Sequence, residues 1–293
     1  MRKIIIAGAG QMGRAAARIM DPNSAVLLGF ADNDPDKWSL ADGSYPENSN
    51  KIPVFSIQTA VDLAPDEFLI SPLDKERARA IAEQLKLCRF YGDVVQLRDI
   101  YEKFDIRSTC IREMAGRLSV VPGAIAELGV YRGDTAWQMN YYFPDKQFYL
   151  FDTFEGFTDT DIATEKAYAL SHAETGDFAD TSVGAVLERL PHPELCKVRK
   201  GHFPETAAGL SHTDFAFVSL DADLYEPTMA GMEFFYPRLS EGGAILVHDY
   251  HNTRFKGVRQ AVKEYEQKLI KAGGAPLKLI PLGDLHGSCV IVK

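Results

Sequence analysis

The feature that most constrains the fold of this 293-residue chain is a repeated alternation of short β-branched runs with helical segments. Such alternation is typical of βαβ units around a parallel sheet. It occurs as two separate series, and each series opens with a strand that leads into a glycine turn. We therefore predict an α/β protein with a small Rossmann-like domain over residues 1–103 and a second α/β domain over residues 104–293.

The first glycine turn, GAGQMG, contains Gly8, Gly10 and Gly13 and is followed by Asp32 at the end of the next strand. This is the pattern of a dinucleotide site, in which glycines let the backbone approach a pyrophosphate and the acid accepts from ribose hydroxyls. The domain is also similar to small N-terminal domains of bacterial sugar-modifying enzymes. Three roles stay open: structural or docking, nucleotide or nucleotide-sugar binding, and NAD(P) redox chemistry. The polar stretch from Asp32 to Lys51 is expected to be a surface loop.

The second glycine turn follows a strand that carries Glu127 and contains Gly129 and Gly133. Asp152 ends the next strand. An acid, a glycine turn and a second acid suit an adenosine-containing ligand without a pyrophosphate, because small residues leave room and the second acid can accept from ribose hydroxyls. S-adenosylmethionine is such a ligand.

Three further acids follow two apolar strands: Asp221 and Asp223 after one, and Asp249 after the other. Open α/β sheets hold their chemistry at the carboxyl ends of strands, so these carboxylates predict a divalent-metal site with a general base. The alternative is that the first two cap a helix that begins near Glu226. The polar segment from Gly156 to Ser182 suits a surface loop or a mobile lid over such a site.

Five motifs occur in order over the second domain: ELGVYRGDTA, FDTFEGF, KGHFPET, DADLYEPT and HDYHNTRFKGVRQAV. Together they resemble the macrocin O-methyltransferase family over residues 106–293. The resemblance implies a Rossmann-like class I methyltransferase domain, with a mostly parallel seven-stranded sheet that ends in an antiparallel hairpin. It also implies metal-assisted methylation of sugar hydroxyls with S-adenosylmethionine.

The same resemblance implies roles for individual residues. Asp223 would be the general base, and Asp221 and Asp249 would bind Mg²⁺ or another divalent cation. His202 stands where the family often has an aromatic residue, and it would pack beside the adenine or in the core. The residues expected to bind the methyl donor are Glu127, Gly129, Gly133, Asp152, Thr153, Gly201, His202 and Asp221.

His248 departs from the family pattern, which usually has two consecutive acids at this point of the chain. Histidine can bind a metal, but Mg²⁺ prefers oxygen. The departure therefore leaves the role of His248 open: it is a third metal ligand, a histidine that contacts the ligands, or a histidine that only lines the cleft. It also leaves the identity of the cation open.

Composition narrows the class of partner. The net charge is −9 and there is no block of like charges, which argues against nucleic acid or an anionic membrane and favours a small sugar or nucleotide-sugar. The four cysteines are scattered and no apolar run approaches a membrane span, so we expect a cytoplasmic protein with free thiols. The resemblance favours a homo-oligomer.

Two other functions compete with a methyltransferase. One is an NAD(P)-dependent nucleotide-sugar oxidoreductase that uses the first glycine turn. The other is a non-catalytic protein that binds a nucleotide in its first domain and a metal in its acidic cleft. Protection against thermal unfolding by S-adenosylhomocysteine but not by NAD(H) would favour the methyltransferase over the oxidoreductase. Methyl transfer to a diol sugar would exclude the non-catalytic protein.

Overall fold

The computed structural model describes residues 1–38, 52–101 and 103–293. The chain divides into two compact units. The first comprises Met1–Asp105 with Gly283–Leu285, and the second comprises Ile106–Leu282 with His286–Lys293. Within the described ranges, no helix is both long enough and apolar enough to cross a lipid bilayer.

The first unit is a five-stranded parallel sheet with helices, in the strand order β3-β2-β1-β4-β5. Ile5 and Ile6 of the central strand are fully buried in two different hydrophobic clusters, since successive side chains of a strand point to opposite faces. Its elements are β1 (Arg2–Ala7), α1 (Gln11–Ile19), β2 (Ala25–Ala31), β3 (Val54–Phe55), α2 (Ile57–Asp62), β4 (Glu67–Ile70), α3 (Lys75–Leu87), β5 (Asp93–Gln96) and α4 (Leu97–Tyr101).

The second unit contains a larger sheet whose two central strands are buried along their whole length. Its elements are α5 (Ile106–Leu118), β6 (Ala124–Leu128), α6 (Asp134–Tyr142), β7 (Phe148–Asp152), α7 (Asp159–Tyr168), α8 (Val183–Arg189), β8 (Cys196–Lys200), β9 (Phe215–Leu220), α9 (Tyr225–Arg238), β10 (Leu239–Val247), α10 (Lys256–Lys271), β11 (Lys278–Pro281) and β12 (Cys289–Val292).

The strand order of this sheet is β11-β12-β10-β9-β6-β7-β8. β12 runs antiparallel to β10 and to β11, whereas the other neighbouring strands are parallel. The predicted sheet of seven mostly parallel strands with a C-terminal antiparallel hairpin is therefore confirmed. Because β6 and β9 are central and parallel, their carboxyl ends lie side by side at one edge.

One of the two predicted loops contains a helix, and the other lies partly outside the described residues. The segment from Gly156 to Ser182 contains α7, which begins at a reciprocal cap between Thr158 and Asp161. The prediction of a loop was therefore wrong for Asp159–Tyr168, because polar residues at the start of this stretch cap a helix. Of the predicted loop from Asp32 to Lys51, residues 39–51 lie outside the described residues, and the described part includes a 3-10 turn at Pro35–Lys37.

Candidate active site

The carboxyl ends of four neighbouring strands bring the predicted acids together in the second unit. Leu220 of β9 pairs with Leu128 of β6 and with Val247 of β10, and Leu128 also pairs with Phe151 of β7. These pairings put the four strand ends at one level of the sheet. The acids at or just beyond these ends are Glu127, Asp152, Asp221, Asp223 and Asp249.

Gly129 allows the turn after β6 to lie against the loop after β9. It has a φ of 88°, and a Cβ atom at this position would lie 2.0 Å from the carbonyl oxygen of Asp221. A side chain here would displace backbone, so glycine is required. Gly133 forms the N-cap of α6 further along the same turn.

Glu127 is a buried acid whose carboxylate is not fully bonded by the protein. The residue is 1% exposed, and its Oε2 atom has no hydrogen-bond partner. Burial raises the pKa of Glu127 well above its ordinary value, and the nearby negative charge of Asp221 raises it further. A donor or a positive group from a ligand would satisfy this oxygen, since an unmade hydrogen bond of a buried polar group is costly.

Asp152 shapes the turn through its side chain. Its Oδ2 accepts from the N–H groups of Val130 and Tyr131, at 2.7 and 2.9 Å, and its Oδ1 accepts from the N–H of Phe154 at 2.6 Å. An ionised carboxylate has about four lone-pair sites, so these three bonds leave capacity for one more donor. The side chain thus holds the glycine turn and can still accept from a ligand hydroxyl.

Three other predicted donor-binding residues lie beside Asp152. Thr153 follows it directly, and the N–H of Gly201 donates to the carbonyl oxygen of Asp152 at 3.0 Å. The side chain of His202 is 58% exposed, and its Nδ1 atom lies 3.6 Å from Oδ1 of Asp161 on α7. This exposure excludes the core-packing interpretation of His202 and puts its ring at the solvent side.

Asp221 is bound by two cationic side chains of the protein itself. Its Oδ2 accepts from Nη1 of Arg107 at 2.9 Å, and its Oδ1 lies 2.7 Å from Nδ1 of His248. Burial raises the pKa of Asp221, but the charges of His248 and Arg107 outweigh burial and hold that pKa below its ordinary value. Asp221 is therefore an ionised group that has two partners before any metal binds.

Asp221, Asp223 and Asp249 form a carboxylate cluster in which one oxygen from each lies within 4.8 Å of the others. Asp223 and Asp249 both have positive φ values, 59° and 58°, an uncommon conformation for residues other than glycine. Burial raises the pKa of Asp223 well above its ordinary value, and the charges of Asp221 and Asp249 add to that effect. In contrast, Asp249 accepts from Nδ2 of Asn252 at 2.6 Å.

His248 lies between two of these carboxylates. Its Nδ1 atom is 2.7 Å from Asp221 and 3.4 Å from Asp249, yet neither ring nitrogen makes an aligned hydrogen bond, so these contacts are close ion pairs. Burial lowers the pKa of His248, but the two carboxylates outweigh burial and raise it to about 10. The ring of His286, which lies between β11 and β12, packs against the ring of His248 with a centroid distance of 4.9 Å.

Four residues contribute to this site that the sequence did not predict as site residues: Arg107, Thr135, Asn252 and His286. Arg107 donates to Asp221, which is 114 positions away in the chain, and its Nη2 atom donates to the hydroxyl of Thr135 at 2.9 Å. His286 stands in a stretch that the sequence predicts as a turn between two strands. The motifs ELGVYRGDTA and HDYHNTRFKGVRQAV contain Thr135 and Asn252, but nothing in the two motifs indicated that these side chains belong to the site.

The first glycine turn is stabilised by bonds within its own unit. Asp32 accepts from the N–H of Ala9 at 2.8 Å, and Nζ of Lys37 lies 3.3 Å from the same carboxylate oxygen. A Cβ atom at Gly13 would lie 2.0 Å from the carbonyl oxygen of Gly8. The glycines are thus required by the packing of the turn itself, and nucleotide binding there stays a prediction.

Comparison with known proteins agrees with this geometry. The sequence profile of a family described as macrocin-O-methyltransferase (TylF) matches residues 102–280. The chain is 30% identical over 156 residues to 8-demethyl-8-(2,3-dimethoxy-alpha-L-rhamnosyl)-tetracenomycin-C 4'-O-methyltransferase of Streptomyces olivaceus, covering 50% of this chain and 58% of that one. It is 29% identical over 160 residues to mycinamicin III 3''-O-methyltransferase of Micromonospora griseorubida, covering 50% and 62%. The matches thus span about three fifths of the length of these relatives.

Solved structures show the same fold. The structure of the O-methyltransferase NovP superposes with a TM-score of 0.52 at 25% identity, covering 64% of this chain and 79% of that one. The calicheamicin methyltransferase CalS11 gives a TM-score of 0.50 at 23% identity, with coverages of 76% and 86%. The predicted methyltransferase fold of the second domain is therefore confirmed.

Proposed function

Because the chain belongs to the macrocin O-methyltransferase family, we propose that it transfers a methyl group from S-adenosylmethionine to a hydroxyl of a sugar or sugar-containing metabolite, with a divalent cation at the carboxylate cluster. The observation that carries this proposal is the convergence of Asp221, Asp223 and Asp249 beside the glycine turn after β6. Such a cluster supplies both cation ligands and a base next to the place where an adenosine ligand would bind.

The residues around this glycine turn fit S-adenosylmethionine. The donor supplies an activated methyl group on a sulfonium. Glu127 has a buried oxygen without a partner, which suits the ammonium group of the donor. Asp152 keeps capacity for a ribose hydroxyl, while Thr153, Gly201 and His202 lie on the side where the adenosine would extend.

The carboxylate cluster fits a divalent cation. One oxygen from each of Asp221, Asp223 and Asp249 lies within 4.8 Å of the others, and burial together with the charges of its two neighbours raises the pKa of Asp223. Bound there, a cation would lower the pKa of an acceptor hydroxyl. Asp249 and Asp223 are the carboxylates with the fewest cationic partners, whereas Asp221 already contacts Arg107 and His248.

Asp223 is the group that we assign as general base. Burial and the charges of Asp221 and Asp249 raise the pKa of Asp223, and a cation at the cluster would favour its ionised form, which can accept a proton. The left-handed backbone of Asp223 directs this loop residue away from the regular path of β9. The residue then takes the proton of the acceptor hydroxyl as that oxygen bonds to the methyl carbon and the sulfonium leaves as a neutral thioether.

A sugar acceptor is supported by the names of the relatives. One relative is named for a rhamnosyl tetracenomycin and its 4'-O position. The second is named for mycinamicin III and its 3''-O position. We extend this class of acceptor to the present chain, with free sugars, nucleotide-sugars and glycosides as the forms to be separated by experiment.

Cellular location and assembly are further parts of this proposal. No disulfide bond links the four cysteines, which supports a reducing cytoplasm. Trp137 and Tyr141 stack on an exposed face of α6, with 40% and 53% of each residue accessible, and this supports association into a homo-oligomer. Light scattering of the purified chain measures the second point directly.

The test is a mass-spectrometric screen with S-adenosylmethionine and a panel of free sugars, nucleotide-sugars and glycosides. We expect one class to gain a methyl group, with formation of S-adenosylhomocysteine in equal amount and with activity lost after chelation of divalent cations. Reduction or oxidation of a nucleotide-sugar with NAD(P)(H), without methyl transfer, would instead support the oxidoreductase.

A further inference from the structure

A second group of metal-binding side chains adjoins the carboxylate cluster. His248, Asp249 and His286 each offer one ligand atom, and these atoms lie within 4.8 Å of one another. His248 and Asp249 follow β10 directly, and His286 precedes β12, which pairs with β10. Neighbouring strands of one sheet therefore hold the three side chains together, and Asp249 belongs to both groups.

Asp221 faces His248 in the manner of a group that orients a metal-binding histidine. Such histidines nearly always have their second ring nitrogen against a carboxylate, a carbonyl or water. Here Nδ1 of His248 lies 2.7 Å from Asp221, and Arg107 holds that carboxylate from its other oxygen at 2.9 Å. Nε2 of His248 is buried and makes no hydrogen bond, so it is the nitrogen that this arrangement leaves for a ligand.

The donor set selects a class of cation. Two imidazoles and one carboxylate suit divalent ions such as Mn²⁺, Fe²⁺, Co²⁺ and Zn²⁺, whereas Mg²⁺ prefers oxygen ligands and retains its waters. A three-residue set also leaves coordination positions for oxygen atoms of an acceptor. His248 and His286 therefore change the preference that a purely carboxylate cluster would have.

We propose that His248, Asp249 and His286 form a binding site for a divalent transition-metal ion, with Asp221 and Arg107 as positioning residues for His248. This proposal specifies the cation of the proposed function. It rests on that function only for the claim that the ion takes part in methyl transfer. Binding of the ion itself depends on residues of this site and is measured without donor or acceptor.

The experiment uses the whole chain after removal of metals with a chelator. Calorimetry with Co²⁺, Mn²⁺ and Mg²⁺ gives affinities, and the visible absorption of Co²⁺ reports the coordination geometry of the bound ion, which loss of a protein ligand should change. We expect one Co²⁺ per chain, bound at least about 10-fold more tightly than Mg²⁺. His286→Gln should weaken Co²⁺ binding by about 10-fold to 100-fold or more, because even outer partners of metal ligands have effects of that size.

Two further variants make the result specific. His286→Asp, which replaces nitrogen with oxygen, should move the preference toward Mg²⁺ while keeping a ligand at this position. His212→Gln is the matched control, since His212 is exposed before the amino end of β9, whereas the site lies beyond its carboxyl end. The control should bind Co²⁺ like the parent. Circular dichroism of the metal-free variants verifies that each is folded.

Equal affinities for Mg²⁺ and Co²⁺ would contradict the proposed metal site. So would folded His286 variants that keep the Co²⁺ affinity and the Co²⁺ spectrum of the parent. Methyl transfer that persists with Mg²⁺ in that case would leave the proposed function intact. Conversely, specific Co²⁺ binding that His286→Gln removes would support the site even if no acceptor were methylated.

Discussion

The two glycine turns of this chain occupy the same place between a strand and a helix but differ in how the acids near them are bonded. Each follows a parallel strand and precedes a nine-residue helix, α1 or α6. In each, a Cβ atom at one glycine would lie 2.0 Å from a carbonyl oxygen, at Gly13 and at Gly129. The glycines therefore report the close packing of backbone, which both units need, and they do not distinguish a binding turn from a structural one.

What differs is how the acids near each turn are satisfied. In the first unit, Asp32 accepts from Ala9 and pairs with Lys37. In the second unit, Glu127 has a buried oxygen without a partner, and three more carboxylates crowd the adjacent loops. Among residues 1–38, 52–101 and 103–293, buried carboxylate oxygens without partners occur at Glu127 and Glu165, both in the second unit. A buried carboxylate oxygen without a hydrogen-bond partner, rather than the spacing of glycines, therefore distinguishes the candidate site.

The largest effect should come from the cluster of the second unit. Asp223→Asn should lower methyl transfer by about 100-fold or more, since an amide cannot take the acceptor proton. Folding should be preserved, because Asn resembles the protonated form that the raised pKa of Asp223 favours. Initial rates with the acceptor found in the screen measure the first effect, and urea unfolding measures the second.

Asp214→Asn is the matched control for that variant, since Asp214 is exposed just before β9 and Asp223 follows the other end of the same strand. Its rate should equal that of the parent. If Asp223→Asn transferred methyl groups at the rate of the parent, Asp223 would not be the general base. The acids near the second glycine turn would then differ less in function from Asp32 near the first turn than we propose.

A smaller effect is expected from the ion pair that supports Asp221. Arg107→Met should lower the free energy of unfolding by about 2 kcal/mol, because a largely buried carboxylate would lose a charged hydrogen-bond donor while keeping His248. Urea denaturation gives this value. Arg112→Met on the same helix removes an exposed pair with Glu113 and should change stability by less than about 0.5 kcal/mol. Equal effects of the two variants would contradict the assignment of Arg107.

The smallest effect belongs to the corresponding ion pair of the first unit. Lys37→Met should change the free energy of unfolding by less than about 1 kcal/mol, because the lysine is 41% exposed and the carboxylate of Asp32 keeps its bond from Ala9. Donor binding should not change. A loss as large as that of Arg107→Met would mean that the charges of the two turns are held with similar strength.

The sequence predicted the parts of the site that follow from local pattern. Glu127 and Asp152 lie near the carboxyl ends of apolar strand runs, Asp221 and Asp249 follow two further runs, and the parallel sheet brings these ends to one edge. The α/β class was predictable for the same reason, since hydrophobic periodicity and turn residues act over a few positions. The seven strands and the antiparallel hairpin of the second unit were expected from the family resemblance.

The electrostatic arrangement could not be predicted, because it depends on residues far apart in the chain. Arg107 neutralises Asp221 from a helix 114 positions earlier, and His286 reaches His248 from a turn between two strands. The sequence also suggested Asp152 as a ribose acceptor but gave no sign that three backbone N–H groups bind it. Such contacts follow from packing, for which one sequence contains no local signal.

The most direct test of the comparison is calorimetric titration of S-adenosylhomocysteine into the parent, Glu127→Gln and Asp32→Asn. One site per chain is expected, with affinity weakened by about 10-fold to 100-fold in Glu127→Gln, since a charged hydrogen bond contributes about 1.5–3 kcal/mol. Asp32→Asn should bind like the parent. Unchanged binding in Glu127→Gln together with lost binding in Asp32→Asn would contradict the account and assign the donor to the first glycine turn.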